Sequence, residues 1–414
     1  MDSQALSPEE KGKFDALGVP VVFQAEENIG DASLIVLSPA VPYDIRMFAE
    51  ARSRGVMVIG EVELASWSLK GPVVGITGSN GKTTTTALTG HLLKECGISC
   101  QVGGNIGTAV TSLVETSRED QWNVLELSSF QLESIDSFRA QIGACLNVTP
   151  DHLDRHHTFE RYAAAKARLF ETQREDDYAV LNYDDATCRA FAKKVNGRVY
   201  WFSSSQRPPA GVWLDGDEVR FENETFLRRA QIKLRGVHNV ENVMAGALMA
   251  HLAGANLDAI AKAVESFPGV EHRIEFVREL DGVEYFNDSK ATNVDAALKA
   301  VDAFPGRLWI ILGGKDKGSD YIPLRAALER KTKAALLIGA EPYEYAAAPS
   351  IRVALTGAIP IVNCGTLEAA VKHARSNAVP GDVVLLAPAC ASFDQFENYE
   401  QRGRAFKQFV QGLF

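Results

Sequence analysis

Val73-Val74-Gly75-Ile76 runs straight into TGSNGKTTTT, residues 77–86. An apolar strand-like run, a glycine-rich turn and then Lys-Thr at the head of a helical pattern surround a polyphosphate with backbone N–H groups and a helix N-terminus. Lys82 then reaches the β- and γ-phosphates, and Thr83 ligates Mg²⁺. The spacing departs from the usual G-x-x-x-x-G-K-[ST], because Ile76 stands where the first glycine belongs and Gly78 comes two residues later. Gly78, Ser79, Asn80, Gly81, Lys82, Thr83 and Thr84 are therefore the expected contacts to nucleotide phosphate. Such phosphate can drive motion, modify a partner or activate a carboxylate, and the loop alone does not choose.

Outward from the loop, short apolar runs alternate with helical segments, the pattern of βα units around parallel sheets. SLIVLSP (33–39), VMVIG (56–60), VVGI (73–76), NVLEL (123–127), IGACLNV (142–148), LWIILGG (308–314), AALLIG (334–339) and DVVLLAP (382–388) read as strands. The stretch from Lys82 carries Ala87, Leu88, Leu92 and Leu93 at helical spacing and closes at Gly97, a suitable C-cap. GVWLDGDEVRFENETFLRRAQIKL (211–234) holds an Asp-Gly turn between alternating runs, which predicts antiparallel hairpin strands.

The chain has 414 residues and a net charge of −10. With 46% hydrophobic and 23% charged residues it has a globular composition with room for two or three domains. The acidic balance argues against a general nucleic-acid binder. No apolar stretch is long enough to span a bilayer, and the start lacks a secretory leader. Six scattered cysteines without a C-x-x-C pair are expected to be reduced. A cytoplasmic protein without membrane insertion is the expectation.

Two more strand ends carry polar residues. NVLELSSFQLE puts Glu126 at one exit, where an acid can hold a nucleotide's Mg²⁺, and CLNVTPDHLDRH puts Asp151 and His152 past another. Ligands of open parallel sheets sit at the carboxyl ends of strands, so these segments are expected to converge on the phosphate loop.

With GGNIG (103–107), GVHNVENVMAG (236–246), EHRIE (271–275), NDSKATN (287–293), LGGKDKG (312–318) and PACASFDQFENYEQRG (388–403), these motifs resemble the Mur ligases, ATP-dependent amide-bond formers of peptidoglycan assembly. The resemblance runs from about residue 33 to the C-terminus in the family's order, and SSFQLE, DSKATN and PACASFDQF are most similar to its D-glutamate-adding branch. It implies an α/β fold of three domains. These are a partial N-terminal Rossmann-like UDP-binding domain (1–66), a central P-loop ATPase-like domain with a parallel sheet plus a small antiparallel sheet (67–269), and a C-terminal Rossmann-like ligase domain (270–414). It also implies that the γ-phosphate passes to a carboxylate, giving an acyl phosphate that an amine attacks.

Residue by residue, the resemblance makes Lys82 and Thr83 the phosphate-loop pair and Glu126 a ligand of a first Mg²⁺. His152 would bind a second, so two ions are expected with ATP. Lys166, by itself a solvated lysine of an Ala-rich helix, matches a lysine carried as a carbamate that serves the metal site. Asn239 and Asn242 lie near adenine, Arg273 on the γ-phosphate, Asp288 on the ribose, and Lys290 steadies the transferring phosphate. Thr292, Lys317, Ser392, Phe393 and Tyr399 match the D-glutamate side, with Tyr399 where the family often has Phe. Asn105, Ser128 and Gln131 match the side of the donor, UDP-N-acetylmuramoyl-L-alanine. Cys390 beside Ser392 is not expected to be a nucleophile, since no base is implied nearby.

The first domain departs from the family. An opening strand and glycine-rich turn are not found before GVPVVF (18–23), and SPAVP (38–42) and GEVEL (60–64) match later parts of that domain. The expectation is a shortened domain that keeps the ATP and D-glutamate sites but binds uridine poorly, in a monomer. A related ligase with another acceptor, or an impaired binding homologue, are the alternatives.

Overall fold

The strand before the phosphate loop sets the architecture. In the computed structural model, which describes residues 8–234, 236–316, 318–339 and 346–414, the chain forms two units. One comprises the chain through Lys82 together with Ile98–Tyr200, and the other Thr83–Gly97 with Trp201–Phe414.

The strands of the first unit are β1 (Leu34–Leu37), β2 (Met57–Gly60), β3 (Val73–Thr77), β4 (Cys100–Gly104), β5 (Trp122–Glu126), β6 (Ile142–Cys145), β7 (Tyr178–Asn182) and β8 (Arg198–Ser203). β1 and β2 form a parallel pair of their own, and the others run in the order β4-β5-β3-β6-β7-β8. Every residue of β3 is buried, as expected of a central parallel strand covered on both faces. β5 and β6 flank it, with Ile76 opposite Glu126 and Thr77 opposite Cys145. Strand order therefore reverses around β3, the place where open sheets leave a crevice at their carboxyl ends.

Ile29, Ile35, Leu37, Met47, Phe48, Ala51 and Val58 make a small separate core beneath β1 and β2. The helix Glu61–Ser66 joins it to the larger sheet through Glu63, whose side chain is fully buried. That carboxylate accepts from the backbone N–H groups of Asp136 (2.8 Å), Ser137 (3.0 Å) and Phe138 (2.9 Å), from Trp67 Nε1 (2.9 Å) and from the Ser137 hydroxyl.

In the second unit, the helix Lys82–Glu95, from Thr83 onward, packs on the helix Val237–Leu252, which is buried throughout 242–250. Gly246 permits the contact, since a Cβ there would lie 3.2 Å from Leu88 Cδ2. β9 (Gly211–Asp215), β10 (Glu218–Phe221) and β11 (Glu224–Arg228) are the antiparallel strands anticipated around the Asp-Gly turn. The remaining strands are β12 (Glu275–Leu280), β13 (Val283–Asn287), β14 (Leu308–Gly313), β15 (Thr332–Ile338), β16 (Ile361–Gly365) and β17 (Val383–Leu386). They form a sheet in the order β12-β13-β17-β14-β15-β16, parallel except for the β12–β13 hairpin. One face buries a core with Ala297, Val301, Leu324 and Ile351, the other a core with Leu367, Val371, Phe406 and Val410. This is a doubly wound, Rossmann-like arrangement.

The strands read from the sequence are present within a few residues; β4, β7, β8, β12, β13 and β16 are additional. The β12–β13 hairpin turns at Asp281 (φ 50°) and Gly282 (φ 73°), the double positive-φ geometry that Asp-Gly favours. No helix among the described residues is long and apolar enough to cross a membrane.

Glu63→Ala would deprive five donors of their acceptor, the Phe138 N–H among them fully buried, and is expected to cost about 3 kcal/mol of unfolding free energy. Burial pushes the Glu63 carboxyl up, but its donors more than offset this and hold it below the ordinary value. Its contribution is therefore complete above the unfolded carboxylate range and is lost as pH falls through the lowered value. Denaturant unfolding of both proteins at neutral and acid pH checks this; an unchanged gap between them as the pH falls counts against it.

Candidate active site

The turn after β3 closes on itself through charge. Lys82 Nζ donates to the carbonyls of Gly78 (2.8 Å) and Ser79 (3.0 Å), and Lys166 Nζ donates to the same Gly78 carbonyl (2.8 Å). Gly78 at φ 151° approaches the segment after β6 so closely that a Cβ would meet Leu146 Cβ at 3.1 Å. Gly81 follows at φ 86°. The helix then starts at Lys82, leaving first-turn N–H groups without intrahelical acceptors. The Ser79 hydroxyl donates to the Thr149 carbonyl (2.9 Å) and lies 3.0 Å from the Tyr162 hydroxyl, while the Asn80 N–H reaches Asn147 Oδ1 (2.8 Å). Thr84 is buried.

At the exit of β5, Glu126 is buried, and its Oε1 accepts from Asn105 Nδ2 (2.8 Å). Its Oε2 is buried with no hydrogen-bond partner, as is Thr77 Oγ1. A carboxylate oxygen cannot stay unpaired at low cost, so this donor set fits a divalent cation. Ser128 and Gln131 serve each other: Gln131 Oε1 accepts from Ser128 N (3.0 Å), and the Ser128 hydroxyl caps the helix Ser129–Leu132. His152, in left-handed backbone at φ 52°, stands half exposed beside Asp151, its ring 4.9 Å from that of Phe130.

Lys166 is buried near the end of the helix Phe159–Ala167, its ammonium 4.5 Å above the Tyr162 ring. Burial, with Lys82 close by, pushes its pKa down to about 7. A lysine that reads as solvated from the Ala-rich sequence is thus inside the protein, because its helix folds over the turn and not away from it.

The second unit gathers the other residues. Asn242 Nδ2 donates to Asn239 Oδ1 (3.0 Å), and Thr85 Oγ1 donates to Asn242 Oδ1 (3.2 Å). Asn239 and Arg273 line a cavity of about 610 Å³ with Phe267, Val270, Phe276 and Phe286. Asp288 is buried and its pKa is raised to about 6 by burial; its Oδ1 has no partner. Lys290 Nζ donates to Thr83 Oγ1 (2.8 Å) and lies 5.4 Å from the Tyr399 ring centroid. Thr292 is half-buried, Ser392 buried and Phe393 65% exposed. Lys317 lies outside the described residues. Cys390 is buried, and burial pushes its thiol up to about 12.

Residues 76–250 match the Mur ligase middle domain, and residues 272–390 match the Mur ligase glutamate ligase domain. The UDP-N-acetylmuramoylalanine--D-glutamate ligase of Solibacter usitatus is 58% identical over 397 residues, covering 96% of this chain and 88% of that protein. The chain belongs to the Mur ligase family. The identically named protein of Koribacter versatilis is 50% identical over 94% of this chain and 85% of its own length. Among solved structures, this Mur ligase resembles a MurF ligase from Thermotoga maritima in complex with ADP (TM-score 0.66, 19% identity, 94% of this chain and 97% of that one). It also resembles MurC from the same organism (TM-score 0.64, 20% identity, 97% and 91%). At that identity the likeness speaks for the fold, the three-domain α/β arrangement of this family.

Two further residues of this Mur ligase lie within the quoted motifs but are given no role by them. Arg402 is buried, donating to the Ser289 hydroxyl (3.0 Å) and carbonyl (2.8 Å) and to the Cys390 carbonyl (3.2 Å). Burial lowers its pKa to about 10. It binds the segment before Lys290 to the one before Ser392. His272, at φ 64°, takes a hydrogen bond from Asn287 Nδ2 (2.9 Å), and its carbonyl accepts the Lys290 N–H (3.1 Å). Full burial of an arginine or a histidine depends on partners far along the chain, which spacing does not reveal.

The pKa of Lys166 lies below its ordinary 10.5, so between about 7 and 10.5 the unfolded chain holds a proton that the folded one has lost. Stability therefore rises with pH through that window, and below it the buried ammonium exacts its full cost. Lys166→Met is expected to gain stability relative to the parent more at pH 6 than at pH 9, as read by thermal melts. Equal differences at both pH values would contradict the assignment.

Proposed function

We propose that this chain is an ATP-dependent ligase that adds D-glutamate to UDP-N-acetylmuramoyl-L-alanine through an acyl phosphate, in cytoplasmic peptidoglycan synthesis. The observation that carries the reading is the site around the β3 turn, in a chain 58% identical to a relative bearing that activity in its name. A carboxylate resists amine attack because its leaving group would be oxide. Transfer of the γ-phosphate to it supplies a leaving group, and loss of phosphate from the tetrahedral intermediate leaves the amide.

In this reading Gly78, Ser79, Asn80, Gly81 and Thr84 shape the phosphate cradle, and Lys82 turns from the Gly78 carbonyl to the β- and γ-phosphates. Thr83, Glu126 and His152 would hold Mg²⁺, two ions in all, which spread charge on the transferring phosphate. Asn239, at the cavity wall, stands near adenine, and Asn242 supports it through its own side-chain amide. Arg273 and Lys290 take the γ-phosphate. The partnerless Asp288 oxygen suits a ribose hydroxyl. Asn105, Ser128 and Gln131 stand on the donor side; Thr292, Lys317, Ser392, Phe393 and Tyr399 hold D-glutamate. The domains are assigned to residues 1–66, 67–269 and 270–414.

A pKa near 7 leaves Lys166 largely neutral at pH 8, and only a neutral amine attacks CO₂. Its nitrogen lone pair adds to the carbon and a proton is released, giving a carbamate anion able to orient metal. With ¹³C-bicarbonate, a carbamate carbon resonance is expected in the parent protein and not in Lys166→Met; its absence from the parent removes this role.

Phosphate release from ATP should require both UDP-N-acetylmuramoyl-L-alanine and D-glutamate, and Lys82→Ala should lower it by about a hundredfold or more. Release that stays at background with both substrates would favour a binding homologue. Release supported equally by another amino acid would favour a different acceptor.

A further inference from the structure

Beyond Lys82 and Lys166, the phosphate loop is held by a residue with no assigned part. Asn147 follows β6 by two positions, and its side-chain amide pairs with one loop peptide in both directions. Asn80 N donates to Asn147 Oδ1 (2.8 Å), and Asn147 Nδ2 donates to the Asn80 carbonyl (3.1 Å). The Asn147 backbone carbonyl meanwhile takes the Ser79 N–H (2.9 Å). Two residues on, Thr149 exchanges a second reciprocal pair with Ser79. The Thr149 N–H donates to Ser79 Oγ (2.9 Å), and that hydroxyl lies the same 2.9 Å from the Thr149 carbonyl. Residues 147–149 thus lie along 78–80 like a short added strand, stitched by side chains where two loops would otherwise be free to drift. The same segment leads directly into Asp151 and His152.

We propose that Asn147 is a positioning residue that holds the Ser79–Asn80 turn in its phosphate-binding shape and ties it to the segment carrying His152, so that nucleotide and metal positions are set together. This rests on the phosphate-loop and metal roles proposed above. With the amides of Ser79 and Asn80 engaged by this strip, the following helix N-terminus is aimed at a fixed point. A side-chain amide suits the task because it offers a donor and an acceptor side by side, matching the N–H and C=O of one peptide unit. Loosening such a support by even an ångström is costly to a preorganised site.

The test uses the full-length protein with Asn147→Ala, and with Asn147→Ser, which keeps a short acceptor for Asn80 N. Affinity for a fluorescent ATP analogue and the Mg²⁺ concentration giving half-maximal phosphate release are each expected to weaken by about tenfold in the alanine variant, with the serine variant between. The KM for D-glutamate should stay within about twofold of the parent. A residue that merely supports the fold would lower the melting temperature while leaving the ATP and Mg²⁺ dependences of the folded fraction unmoved, and that result overturns the inference. Should Asn147→Ala not fold, the serine variant decides by the same two readouts. If the parent protein binds nucleotide but releases no phosphate, the ligase reading fails while loss of nucleotide affinity on substitution still upholds the role of Asn147.

Discussion

The turn after β3 keeps its own carbonyls and amides paired, through Lys82, Lys166 and Asn147, and the surrounding structure serves that arrangement. Two ammonium groups, Lys82 and Lys166, converge on the Gly78 carbonyl. Like charges brought together inside a protein are unfavourable, and the burial of Lys166 makes the charge costlier still. The carbonyl offsets part of this, and the rest appears as the depressed pKa of Lys166.

Parallel pairing supplies the frame. Because β5 and β6 flank β3 on opposite sides, their exits bring Glu126 and the 146–152 segment beside the turn without any local signal joining them. The partnerless oxygens of Glu126 and Thr77 are intelligible as donors awaiting a cation, since an apolar side chain would otherwise satisfy the sheet equally well. In the second unit, Arg402 performs a comparable service for two loops, one before Lys290 and one before Ser392. A planar group with several fixed donors can hold two carbonyl-rich loops where a lysine would hold one.

The roles of Lys290 and Tyr399 illustrate how the acceptor side is arranged. Lys290 stands over the ring of Tyr399 and donates to Thr83, and the Tyr399 carbonyl takes the Ser289 hydroxyl. Lys290 and the helix that begins at Tyr399 are thus linked through a single serine.

Much of this was legible in the chain itself. Apolar runs of four to six residues between helical patterns dictate βα units because only parallel strands bury both faces, and the Gly-rich turn before Lys82 dictates an anion site by backbone geometry. The β12–β13 hairpin carries the same Asp-Gly signal as the β9–β10 turn. What the sequence could not supply was burial. Lys166 looks solvated in its Ala-rich helix, and Asn147 reads as the end of a strand. Each acquires its character from partners scores of residues away, brought near by sheet order. Local pattern therefore determined many of the strands and the glycine-rich turn; tertiary structure alone decided which polar groups lose water, and hence which of them have altered chemistry.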